Sequence, residues 1–303
     1  MDQIKGIIPP MVTPLLDDDT LDLKGLENLI EHLIGGGVHG LFLLGTTGEG
    51  PGLNYSLRAE LIKRTCDLVK GRVPVLVGIT DSSYRESANI AEKAYEHGAQ
   101  ALVMAPPFYF NIGQDELFNH VDAFLQETPL PVFLYNMPGL TKAAYSFDVV
   151  RELIKNPNVI GFKDSSANMS YFNKIKRITT HDPNFSLLVG PEELLMEATI
   201  MGGHGGIAGG ANIFPELYVS LYNQARAGKI NEALKSHEEI MSLGANVYGE
   251  VLNCSSDVIN GIKNALSHLG ICNGHIAKPL KNVSAEKEKR IQSFINSNKV
   301  KHA

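Results

Sequence analysis

Short apolar runs alternate with longer amphipathic stretches along most of the chain. The runs occupy 6–12, 40–45, 74–79, 101–106, 131–136, 159–164, 185–190 and 205–210. Each is apolar at successive positions rather than at every second one, as in a parallel strand covered on both faces. The stretches between them carry single apolar stripes at helical spacing: Leu23, Leu26, Ile30, Leu33 and Ile34; Tyr84, Ala88, Ala91 and Tyr95; Leu117, Val121, Phe124 and Leu125; Val149, Val150, Leu153 and Ile154. Ser83 to Glu86 has the spacing of a capping box, and Gly35, Gly36, Gly37 and Gly98 supply helix stops just before strands.

Strict alternation of strand and helix implies right-handed βαβ units and one parallel sheet. Eight such units over about the first 225 residues match the usual length of a closed barrel. The expected fold class is therefore α/β: a (β/α)8 TIM barrel spanning 1–228. Beyond it the strand signal ends, and helical stripes follow at Ile230, Ala233, Leu234, Ile240 and Met241 and at Val258, Ile262, Ala265, Leu266 and Leu269. Residues 229–303 read as a C-terminal helical extension packed on the barrel, since no Gly/Ser or Pro-rich linker separates the two. The last few residues are expected to fray.

The chain has 303 residues, with 44% hydrophobic and 20% charged positions, enough to bury a core without disulfides or a structural metal. Lys and Arg number 27 against 33 Asp and Glu, and no basic block could follow a phosphate backbone, so nucleic acid is excluded as a partner. The N-terminal MDQIKGIIPP lacks the apolar run of a signal peptide, and no run is long enough to span a bilayer. Cys66, Cys254 and Cys272 are far apart and odd in number, which suits reduced thiols in the cytoplasm. The histidines have no paired-ligand spacing, so neither a metal nor another cofactor is expected. Gly203 to Ala208 nominally fits a dinucleotide fingerprint, but it precedes a strand instead of following one. His204 within it falls on the stability face of the barrel and reads as structural.

In such a barrel the reacting groups sit at the carboxyl ends of the strands. Lys163 ends the run VIGFKD, where it shares a face by alternation with Gly161 and Val159 and so has space beside it for a ligand. A lysine held there charged is costly; neutral, it can attack a ketone to form a Schiff base. The alternative is a strand-end lysine paired with Asp164 or reaching solvent. Tyr135 ends the preceding run, where a phenol can relay a proton, or simply fill the core with its hydroxyl satisfied. Gly45, Thr46, Thr47, Gly48 and Glu49 form a βα turn whose hydroxyls and N–H groups can hold a carboxylate or phosphate.

Three motifs in this order, GTTGE at 45–49, YNMP at 135–138 and KDSS at 163–166, resemble the dihydrodipicolinate synthase/N-acetylneuraminate lyase family. The likeness extends to IIPPMVTP near the N-terminus, Pro-Pro-Phe-Tyr at 106–109 and GGIAG at 205–209, nearly the whole chain. The resemblance implies a class I aldolase in which Lys163 forms a Schiff base with pyruvate or another 2-oxo acid. It implies that Thr46, Thr47 and Gly48, with the backbone around Ile207, hold the carboxylate. Tyr135 would move protons, completed by Thr47 and by a Tyr109 contributed across a subunit contact. The active form would be a homo-oligomer, a dimer of dimers, acting on small molecules.

Departures from the family pattern bear on the substrate. The synthases carry an arginine for a second carboxylate five residues after the motif tyrosine, where this chain has Leu140, which looks more like the lyase branch. Gly209 replaces a hydroxyl residue of the sialic acid lyases, and Ser165 replaces their threonine. Gly190, Glu192 and Glu193 echo the lyase pattern of a glycine followed by two acids, suited to sugar hydroxyls; a helix N-terminal charge explains the acids equally well. The expected function is cleavage or formation of a 2-oxo-3-deoxy sugar acid or N-acetylneuraminate-like substrate. The alternatives are 4-hydroxy-tetrahydrodipicolinate synthase, a Schiff-base dehydratase or deaminase, and, from another class, a non-catalytic binder of 2-oxo acids.

Overall fold

The computed structural model describes residues 3–249 and 254–298. The chain opens with β1 (Gly6–Ile7) and a small antiparallel hairpin, β2 (Leu15–Asp17) and β3 (Thr20–Leu21). Then come β4 (Leu41–Leu43), β5 (Val75–Gly78), β6 (Ala101–Met104), β7 (Val132–Asn136), β8 (Val159–Asp164), β9 (Ser186–Val189) and β10 (Gly205–Gly206). Strands β4 to β10 and β1 form one parallel sheet of 8 strands in the order β1-β10-β9-β8-β7-β6-β5-β4. Each of the eight apolar runs contributes one of them.

The two ends of this sheet meet just past β1. The Met11 N–H donates to Phe42 O (2.9 Å) and the Phe42 N–H to Pro9 O (3.0 Å), which closes the ring. The hairpin was not foreseen, because strands of 3 and 2 residues with most of their positions exposed leave no periodic signal.

Both faces of the sheet are apolar because each meets its own core. Inside, Ile8, Phe42, Leu76, Val103, Phe133 and Leu188 fill the barrel. Outside, a larger cluster joins the strands to the surrounding helices. Each fully buried side chain of this kind contributes about 1.5–3 kcal/mol. Helix starts are capped as the sequence implied, with the Ser83 hydroxyl accepting from the Glu86 N–H (3.4 Å). At the bottom of the barrel His204 has the structural role expected of it: its Nδ1 accepts from the Leu187 N–H (2.9 Å), and its carbonyl from the Gly6 N–H (2.8 Å).

Alternation in β8 departs from the simple pattern. A register shift lets Val132 pair with Val159 but Phe133 with Gly161, so one extra residue enters β8. Val159 consequently packs in the outer core, while Gly161 and Lys163 face inward. The space opened by Gly161 is not left for a ligand. A Cβ there would lie 2.2 Å from the Phe133 ring, which already fills it.

After the barrel, helices run over Ile230–Val247, Ser256–His268 and Ala285–Asn298. Ile262, Ala265 and Leu266 join the same outer core as the barrel helices. The stripes were read too wide at their edges: Tyr95 is 58% exposed and Leu234 and Met241 are 44% and 45% exposed. The fraying expected over the last residues, from about Asn296, meets a helix that continues to Asn298; 299–303 lie outside the described residues. Among the described residues no helix is long and apolar enough to cross a membrane.

Candidate active site

A cavity of about 420 Å³ opens at the carboxyl ends of the strands. Lys163 and Tyr135 stand on its floor as partners in register on β8 and β7. Lys163 is 4% exposed. Its Nζ lies 3.9 Å from the centre of the Tyr135 ring and 5.0 Å from that of Phe42. Burial pushes its ammonium below the ordinary lysine value, an effect only partly offset by Tyr135, and no carboxylate contributes.

Asp164 is not the counter-ion. By alternation it points to the other face, where its carboxylate accepts from Asn136 Nδ2, the Ser166 N–H and the Ser166 hydroxyl, each at 3.0 Å. Asn136 is itself fixed by the Tyr145 N–H (3.1 Å), so the carboxylate beside Lys163 is locked outward.

The Tyr135 hydroxyl is held among Ser165, Thr46 and Lys163. Burial pushes this phenol up, but the nearby ammonium and the hydrogen bonds from Ser165 and Thr46 outweigh it and leave the group below the ordinary phenol value. Room for the Ser165 hydroxyl depends on Gly190, since a Cβ there would sit 1.9 Å from Ser165 Oγ. Sequence reasoning placed Gly190 at the substrate; the geometry gives it this spatial duty as well as a place on the cavity wall.

Thr46 and Thr47 both line the cavity. Gly48 lies behind it, with its carbonyl accepting from the Thr13 hydroxyl (2.7 Å), so it belongs to the support of the turn rather than to the wall. Ile207 lines the cavity, but its N–H donates to Val189 O (2.8 Å) within the sheet. That N–H is therefore not free for a carboxylate.

Farther out, Leu140 from the short helix Pro138–Thr141 presents an apolar side chain to the cavity. Glu192 lines it too, yet its Oε2 accepts from the Gly210 N–H (2.8 Å) and the Tyr248 and Tyr218 hydroxyls face the same carboxyl. Burial pushes this carboxyl up, against the opposing effect of the Gly210 N–H and the two facing hydroxyls. Its surroundings thus differ from those of an exposed helix N-terminal charge. Tyr109 does not join the group. It is 88% exposed, has a left-handed backbone (φ 84°) and packs edge-on against Phe110, with ring centres 5.2 Å apart.

Several wall residues drew no site role from the sequence: Pro10 and Met137 lie within quoted motifs, while Tyr248, Ser255 and Ile259 lie in none. Tyr248 and the start of helix Ser256–His268 arrive from the C-terminal part of the chain. No local motif marks them, and only the packing of that helix over the barrel mouth brings them in.

The model of the Dihydrodipicolinate synthetase family matches residues 3–298. A 4-hydroxy-tetrahydrodipicolinate synthase of Methanosphaerula palustris is 30% identical over 295 residues, covering 97% of this chain and 99% of that one. A probable 2-dehydro-3-deoxy-D-pentonate aldolase, YjhH of Escherichia coli, is 33% identical over 247 residues, covering 81% and 82%. Among solved structures, a dihydrodipicolinate synthase from Bacteroides thetaiotaomicron superposes with a TM-score of 0.94 at 49% identity, covering 98% of this chain and 100% of that one. YagE of E. coli, in complex with pyruvate, superposes with a TM-score of 0.90 at 28% identity, covering 97% and 98%.

Proposed function

This chain belongs to the dihydrodipicolinate synthetase family, and we propose that within it the protein is a class I aldolase cleaving or forming a 2-oxo-3-deoxy sugar acid through a Schiff base at Lys163. The observation that carries the reading is a buried lysine with a depressed pKa, no carboxylate partner, and a phenol in van der Waals reach at the floor of a cavity. A structural lysine needs neither the cavity nor the phenol.

In the cleavage direction the neutral amine of Lys163 adds to the 2-oxo carbon, and Tyr135 gives a proton to the hydroxyl that leaves as water. Thr46 and Thr47 hold the carboxylate next to that carbon. Tyr135 then takes the proton from the C4 hydroxyl as the C3–C4 bond breaks. The electron pair moves into the iminium to give an enamine, and the aldehyde departs. Protonation at C3 and hydrolysis return pyruvate and the free lysine. Tyr109 of a neighbouring copy would complete the relay, which makes a homo-oligomer, a dimer of dimers, the active form.

The sugar-acid substrate class follows from the distal wall. Among the described residues no arginine lines the cavity, and Leu140 stands where a second carboxylate would be clamped. Ser165, Ser255, Tyr248 and Glu192 offer hydroxyl and carboxyl groups suited to a polyhydroxylated tail. The name of YjhH points the same way. A second reading, 4-hydroxy-tetrahydrodipicolinate synthase, is favoured by the 49% identity to the B. thetaiotaomicron protein.

Borohydride reduction in the presence of pyruvate, followed by peptide mass analysis, tests the reading. An adduct on the Lys163 peptide, absent from Lys163→Ala, is expected. Binding of pyruvate without any adduct would refute the mechanism. Turnover of aspartate semialdehyde above that of 2-oxo-3-deoxy sugar acids would select the synthase.

A further inference from the structure

The turn that carries Thr46 and Thr47 is held from outside the barrel strands. Leu44 and Glu49, which bracket it, have left-handed backbones with φ of 57° and 58°. Side chains other than glycine adopt this conformation only where their surroundings enforce it. Within the turn the Glu49 N–H donates to Thr46 O (3.0 Å). The firmer restraint is the Glu49 carboxylate. One oxygen forms an ion pair with Lys263, the two side chains being 1% and 0% exposed. The other accepts from the Ala277 N–H (2.8 Å). Lys263 donates in addition to the His275 carbonyl (2.7 Å). The anchor is thus helix Ser256–His268 with the loop that follows it, and neither Glu49 nor Lys263 lines the cavity.

Stability alone does not call for this arrangement, because a well-packed apolar pair of similar volume serves as well as a buried ion pair. What the ion pair adds is direction. A carboxylate fixed at both oxygens fixes the backbone two residues from Thr47 and three from Thr46, whose hydroxyl bonds the Tyr135 phenol.

We infer that Glu49 and Lys263 are positioning residues for the Schiff-base reaction: their buried pair sets Thr46 and Thr47, and through Thr46 the Tyr135 hydroxyl, at the place where the 2-oxo acid must sit. The inference rests on the function proposed above. It assigns the C-terminal helices a part in the chemistry rather than in packing alone.

Glu49→Gln/Lys263→Met removes both charges together, so no unpaired buried charge remains to unfold the chain. The pyruvate concentration giving half-maximal borohydride trapping should rise about tenfold, with the maximal labelling of Lys163 retained. Glu49→Asp keeps the charges but shortens the tether, and the same rise is expected. Lys263→Arg, which preserves charge and reach, should stay near the native value. A purely structural pair would lower the yield of active protein and leave half-saturation unmoved. Native half-saturation in both Glu49 variants, or a rise in Lys263→Arg equal to theirs, overturns the inference. If the native protein itself forms no adduct, it is the proposed function that fails; if it does and the variants match it, only the positioning role fails.

Discussion

Lys163 and Tyr135 are register partners on neighbouring parallel strands, and the amine nitrogen of the first lies 3.9 Å from the ring centre of the second. Each alters the other's proton affinity, the phenol's towards easier proton release and the lysine's away from the neutral form. Lys163 holds the phenol low, while Tyr135 opposes the effect of burial on the lysine.

Tyr135→Phe removes that opposition. Burial then acts on Lys163 with less resistance, so its amine should stay neutral to lower pH. The rising limb of the pyruvate-trapping rate against pH is expected to move to lower pH, while turnover falls by about 10²–10⁴ because the proton relay is gone. A limb that moves upward, or turnover that survives intact, would contradict the pairing.

The depressed Lys163 value also carries a stability cost. The unfolded lysine titrates near 10.5 and the folded one below it. Between the two values the unfolded chain binds more protons, so stability rises with pH across that window, and the cost grows as pH falls from 10.5. Lys163→Met should therefore be more stable than the native chain at neutral pH, by a margin that shrinks towards pH 10.5. Urea denaturation at both pH values measures the margin; a constant difference would show that charge burial is not its source.

Leu140→Arg places a guanidinium on the distal wall. One charge-assisted hydrogen bond of about 1.5 kcal/mol corresponds to roughly a tenfold gain in kcat/KM for aspartate semialdehyde over a sugar acid. No change in this ratio, measured with both aldehyde classes, would remove Leu140 from the specificity argument.

Tyr109→Phe should lower turnover about tenfold or more while leaving pyruvate trapping nearly intact, since a relay residue is needed for proton movement and not for capture. Mixing it with Lys163→Ala subunits should restore part of the activity where the tyrosine serves a neighbouring copy. Unchanged turnover would dismiss the relay assignment.

Gly161→Ala drives a methyl group into the Phe133 ring, at 2.2 Å from its nearest carbon. The expected loss is about 1–3 kcal/mol. Adding Phe133→Leu should recover part of it, and the urea midpoints of the single and double variants decide the matter. Additive losses would mean that the two side chains do not compete for the same space.

Much of this molecule was legible before its structure. The eight apolar runs became the eight barrel strands because burial on both faces leaves an unambiguous mark. Lys163, Tyr135 and Thr47 were legible as residues of the barrel mouth because each lies near a strand end or in a βα turn. Other features depend on distances that a sequence does not contain. The extra residue in β8 turned Val159 outward although alternation placed it beside Lys163. Gly48 looked like part of the wall because its neighbours are, yet Thr13 holds it from behind. Glu49 was read only as the last letter of a motif. Its partner was hidden too, although a lysine between Ile262 and Ala265 on an apolar stripe is a signal that something acidic waits for it.

The anchor of the threonine turn has a further consequence, in time. Ala277 reaches Glu49 across 228 positions of chain. A ribosome releases all eight barrel strands before either Lys263 or Ala277 leaves the exit tunnel. Lys163 is therefore synthesised long before the groups that fasten the turn opposite it. A message cut short after β10 encodes every barrel strand and neither fastening.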